Sequence, residues 1–194
     1  DWQRAVTFYV QAHEGGERAA VYRLASGYAA PENGPDIAAA LWWASRIKPA
    51  LMDACSISGP AADDPDLFVA ALRTWTQQRL VECNYIVGVM ATLAGEMRYP
   101  QRPLAFAVGA DIEMRFVPAI PRMDLRPTGS TEYTMLGIVD GNQMGERRSK
   151  RMTAAFLDTV REVSARAIKR YPQPPRIHPD SRAVMRFTFQ MAPQ

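Results

Sequence analysis

Apolar positions follow two rhythms along this chain, and the rhythm changes near residue 100. In the first half they return every three or four positions. Ala20, Leu24 and Tyr28, with Val21 beside them, make the stripe of a helix over Glu17 to Ala29, since residues four apart share a face at 3.6 residues per turn. Pro31-Glu-Asn-Gly34-Pro35 ends that helix in a turn. From Asp66 the same rhythm runs through Leu72, Trp75, Leu80, Cys83, Val87 and Met90 toward Glu96, which predicts one long helix capping the open end of a helical stack. After Tyr99-Pro100, prolines 100, 103, 118, 121 and 127 punctuate the chain and alternation takes over. Ala110 to Phe116 alternates apolar with polar as a half-buried strand does, and Thr131 to Val139 reads as a second strand ending in the turn Asp140-Gly141-Asn142. Met152 to Tyr171 is helical, with Phe156, Val160, Val163, Ala167 and Ile168 on one side and Pro172 as its stop. Ala183 to Met191 closes the chain as a strand. The fold class is α+β: antiparallel helical repeat pairs over residues 1–98, then a small mixed α/β domain with antiparallel strands over 99–194.

The helical part repeats itself. Asp1-x-x-x-Ala5-x-x-Phe8 recurs as Asp36-x-x-x-Ala40-x-x-Trp43, an offset of 35 residues at all three positions. Each part of this pattern has a physical use. Aspartate at a helix start accepts hydrogen bonds from orphan N–H groups, alanine four residues on lets a neighbouring helix approach, and the aromatic fills the space beyond on the same face. With the intervening helix the unit is helix, turn, capped helix, turn. Ala50 to Ile57 and the helix starting at Asp66, spaced to Ala70 as Asp1 is to Ala5, offer a third pair, but the aromatic is displaced and the length of that helix favours the cap over another repeat.

Ala20-x-Tyr-x-Leu24-Ala25-x-x-Tyr28 followed by Pro35-Asp36-x-x-x-Ala40-x-x-Trp43 resembles the Sel-like repeats, a tetratricopeptide-related family. The resemblance implies a surface for holding another protein and implies that Asp1 stands inside a repeat. Ala25, Pro31 and Asn33 depart from it where the family has glycines. At the other end, Ala167-Ile-Lys-Arg-Tyr171-Pro172-x-Pro174-Pro175 and Arg186-Phe-Thr-Phe189 resemble the C-terminal domains of TonB- and TolA-type envelope proteins, though the strand and glycine run usual before that helix is not evident.

Composition narrows the picture modestly. With 47% hydrophobic and 22% charged residues, the 194-residue chain has the make-up of an ordinary globular protein able to bury a core without staples. A net charge of +3 from 23 basic and 20 acidic scattered residues is too mild to argue for nucleic acid. No run approaches the roughly 18 apolar residues needed to span a bilayer. No signal-peptide pattern is visible either. Cys55 and Cys83 suit no zinc spacing, which leaves a disulfide or two buried thiols.

Recognisable catalytic chemistry is sparse. His13 lacks the second histidine of a zinc-protease helix, and His178 with Asp180 is the least poor start for a hydrolase site. Asp63, Asp64 and Asp66 lack the glycine and glutamate of a calcium loop, and Gly137, Gly141 and Gly145 do not form a phosphate cradle. Neither a cofactor nor a metal is expected. Arg147, Arg148 and Lys150 make the one dense basic cluster, able to meet phosphate, lipid headgroups or an acidic partner. Trp42 and Trp43 cannot both face inward on one helix, so they and Tyr22 are the binding candidates of the repeat surface. The expectation is a non-enzymatic protein-interaction adaptor of the periplasm or cell envelope, whose partners are another protein and, beyond it, peptidoglycan or other envelope components. A hydrolase with a dispersed site, a small-molecule or glycan receptor, and a cytoplasmic home are the alternatives.

Overall fold

A computed structural model describes residues 1–105, 108–134, 137–140 and 146–190, with the side chains of 102, 104 and 131–151 outside the description. In chain order the helices are α1 (Trp2–Glu14), α2 (Ala19–Ala29), α3 (Ile37–Ala44), α4 (Pro65–Leu72), α5 (Gln77–Glu96), α6 (Gln101–Ala105) and α7 (Glu146–Arg170). The strands are β1 (Val108–Val117), β2 (Arg122–Thr134), β3 (Gly137–Asp140) and β4 (Ala183–Phe189). They form an antiparallel sheet in the order β3-β2-β1-β4, so the chain is α+β as its rhythms indicate.

Both repeat aspartates cap their helices. Asp1 Oδ1 accepts from the Gln3 N–H at 3.1 Å, and Asp36 Oδ1 from the Ala39 N–H at 2.9 Å. Between the helices they start, α2 packs on α1, α3 and α5 through small residues, with Ala20, Ala25, Ala29 and Ala40 all buried. Gly27 makes room for Trp2: a Cβ there would sit 2.0 Å from the indole Cη2. The same ring stands edge-on to Tyr28 at 5.2 Å.

The third pair does not form. Ala50 to Ile57 is irregular apart from a single 3-10 turn at Asp53–Cys55, because a segment this short, entered through Pro49 and closed by Gly59-Pro60, cannot repay helix nucleation. Nor is Asp66 a cap. Asp64 holds that place, accepting from the Asp66 and Leu67 N–H groups at 2.9 and 3.0 Å with Pro65 at the first helical position. The single helix expected from Asp66 to Glu96 is two helices, α4 and α5. Thr76 separates them by accepting from the Arg79 N–H at 3.2 Å and starting a new helix.

α5 lies against α2, α3, α7 and β4. From Tyr85 to Leu93 every residue is buried, so no polar face remains on that stretch. One apolar cluster joins Leu41, Ile86 and Met90 of the helices with Phe116 of β1, Tyr171 and Ala183. A second packs Ile112 and Met114 of β1 beneath Phe156 and Val160 of α7. Tyr171 fastens the end of α7 to both helical neighbours. Its hydroxyl donates to the Ser26 carbonyl at 2.8 Å and shares a 2.8 Å hydrogen bond with Thr92 Oγ1, while its ring lies on Gly88.

In the sheet, the strand expected over Thr131–Val139 falls on the end of β2 and the start of β3, which runs on to Asp140; the two face each other antiparallel with Thr134 opposite Gly137. β2 starts earlier, at Arg122, where its polar and proline content hid it. Of the two alternatives for the cysteines, the disulfide holds: Cys55 and Cys83 are bonded, with Cα atoms 5.3 Å apart.

Candidate binding groove

β4 is an edge strand, paired with β1 on one side. Beside it lies a groove of about 650 Å³, lined by Val184 to Thr188 of β4 and Glu113 of β1 and, from the helical part, by Tyr22 of α2, Ala94 of α5 and the Ile47–Leu51 segment. A second hollow of about 470 Å³ shares Tyr22, Ile47 and Lys48 with the first and continues it to His13, Arg18 and Arg46. The two form one open channel across the end of the helical pairs and onto the sheet edge.

Local sequence explains the walls. Gly95 lets the end of α5 approach α2, since a Cβ there would lie 3.3 Å from the Tyr22 Cβ. Tyr22 is half-buried, and that burial raises its phenol above the ordinary value against the opposing pull of Arg18. β4 contributes both of its faces: Met185 and Phe187 are half-buried on the core side, while Val184, Arg186 and Thr188 are exposed. Glu113, the carboxylate among these lining residues, lies 3.8 Å from Arg186 and 3.9 Å from Arg115.

Trp42 and Trp43, both half-buried, stand behind the second hollow. The Arg46 guanidinium lies 3.5 Å over the Trp42 ring and donates to the Trp42 carbonyl at 2.8 Å. Burial pulls the Arg46 pKa below its ordinary value, opposed by Asp63. Trp42 meets Phe68 edge-on at 5.1 Å, and Trp43 meets His13 edge-on at 5.3 Å. The two tryptophans thus support Arg46 and His13, two of the side chains that line the second hollow. Arg147, Arg148 and Lys150 fall in the first turns of α7, and their side chains lie outside the described residues.

His178 and Asp180 border a smaller hollow of about 300 Å³ with Ser181, Glu82 and the disulfide. Its hydrogen bonds are inward-looking. His178 Nδ1 accepts the Asp180 N–H at 3.2 Å, and the Ser181 hydroxyl donates to the buried Glu82 carboxylate rather than to an imidazole. Next to it, Arg79 donates twice to the Ala54 carbonyl, at 3.1 and 2.7 Å, and stacks on Trp75. A nucleophile bonded to its base, and that base held by a third group, is the arrangement acyl transfer requires; these contacts do not supply it.

Of the residues singled out in the sequence, Tyr22 lines both hollows and the two tryptophans stand behind the second. Lys48, Leu51 and the free side of β4 had no local signal: a lysine before a proline and a strand ending in Phe-x-Phe acquire a shared role only when β4 is the sheet edge beside α2. No protein family, curated protein or solved structure matches this chain.

Proposed function

We propose that this protein is a non-enzymatic interaction adaptor that holds a partner protein in the groove between Tyr22, Lys48 and β4. The observation carrying this reading is the meeting of a sheet edge with an apolar channel floor, since an edge strand offers backbone hydrogen bonds to whatever is laid beside it. The Cys55–Cys83 disulfide supports an oxidising compartment such as the bacterial envelope, and no described helix is long and apolar enough to cross a membrane. The hydrogen bonds around His178 and Ser181 favour a structural turn over a hydrolase site.

Photo-crosslinking in the source cells tests this. A benzophenone side chain placed at Tyr22 or Val184 should give discrete heavier adducts with another protein, whereas one at exposed Leu67 of α4 should not. Adducts at Leu67 with none at the groove positions would refute the assignment.

A further inference from the structure

We propose that the groove takes an extended segment of the partner, alternating apolar and acidic residues, as a fifth strand on the free side of β4; this rests on reading the protein as an adaptor. Among the described residues β4 pairs only with β1, so every second residue directs its N–H and C=O away from β1. Edge strands are commonly protected by proline, bulges or lysine. β4 has no proline and no glycine over its seven residues, its one charged residue, Arg186, lies 3.8 Å from Glu113 of the β1 strand it already pairs with, and that pairing runs without a register shift. Neither a break in the backbone nor a bulge blocks pairing along this edge.

Side chains then set the occupant's pattern. Met185 and Phe187 of β4 are only half-buried, and with Ile47, Leu51 and Tyr22 they give the groove an apolar floor. A strand laid beside β4 turns alternate side chains to that floor and the rest outward, which calls for apolar residues at every second position. Charge decides the others. Exposed Lys48 projects at the groove, with Arg18 and Arg46 further along the channel, while Glu113 already lies between Arg115 and Arg186. A basic rim with its carboxylate already engaged fits acidic outward residues.

Selection from a phage-displayed random octapeptide library against the full chain tests the proposal. Enriched peptides should alternate β-branched or aromatic residues with Asp or Glu, and Lys48→Glu should weaken the best of them about tenfold, a change of about 1.4 kcal/mol. N-methylating alternate amides of that peptide should abolish binding in one register and spare it in the other, because only one set pairs with β4. Peptides with helical spacing or basic residues, no enrichment, or equal tolerance of both methylated registers would overturn strand addition. Self-association of the chain through β4, seen as dimers lost on Val184→Lys, would also overturn it by assigning the edge to a second copy. Should groove crosslinks to a partner persist when the library test fails, the adaptor reading stands and strand addition alone falls; failure of both removes both.

Discussion

Single side chains hold the helical and sheet halves together, and their contacts make sharp expectations. Tyr171 is buried, its phenol raised above the ordinary value by that burial against the Thr92 hydrogen bond and Arg170, and its ring fits only because residue 88 lacks a Cβ. A Cβ at Gly88 would lie 2.5 Å from Tyr171 Cε1, so Gly88→Ala should cost about 1–3 kcal/mol in urea unfolding as ring or helix shifts. Removing the hydroxyl with Tyr171→Phe leaves the Ser26 carbonyl without its donor and should cost about 1–3 kcal/mol by the same measurement. Tyr85 is the opposite case. Its buried hydroxyl has no hydrogen-bond partner among the described residues, and burial pushes its pKa up to about 12. Because burial penalises only the charged phenolate, the shift is without effect below the unfolded value near 10 and destabilises the fold as pH climbs from about 10 to about 12. Tyr85→Phe should therefore be neutral or slightly stabilising at pH 7 and should flatten the alkaline loss, as denaturation at pH 7 and pH 11 would reveal. A marked loss at pH 7 would mean that the hydroxyl is held by a partner, against this account of it.

Elements show where the sequence was legible. Caps at Asp1 and Asp36 and the stripe of α2 depend on residues within a turn or two of one another, so the rhythm of the chain reveals them directly. α4 and α5 were fused because the apolar spacing continues across Arg73–Thr76, and only the cap bond of one threonine marks the break. β2 was half missed because its edge-side polar residues and Pro127 obscure alternation; Pro127 is tolerated beside the register shift between Asp111 and Ile112 of β1. Trp42 and Trp43 were legible as aromatics that could not both be core, but not the stacking of Arg46 and His13 on them, which depends on how α1 and α3 end side by side. The disulfide belongs at this scale too. It ties the 3-10 turn at Asp53–Cys55 to α5 across 28 residues of sequence, and chain-entropy reasoning assigns such a loop about 3–4 kcal/mol. Joint Cys55→Ala and Cys83→Ala replacement should lower stability by about 2–4 kcal/mol in urea titration. An unchanged midpoint would show that Arg79 and its neighbours hold the turn unaided.

On the scale of the whole molecule, the groove exists because two distant stretches meet. Residues 22 and 47–51 come from the helical pairs, residues 184–188 from the last strand, and α5 and Tyr171 fix their relative positions. Sequence order separates these walls by more than 130 residues, which is why Tyr22 alone was visible beforehand. Disturbing the seam should therefore weaken partner binding without touching the groove's own residues: Gly88→Ala protein that remains folded should lose affinity for the partner captured at Tyr22, whereas Leu67→Ala should not. The proposed binding place is this groove and not the hollow at the disulfide. Amide hydrogen exchange of the full chain with and without the partner captured at Tyr22 tests it most directly. Slowed exchange confined to residues 18–23, 46–51 and 183–189 is the predicted result; slowing at 52–55 and 177–182 with β4 unchanged would contradict it.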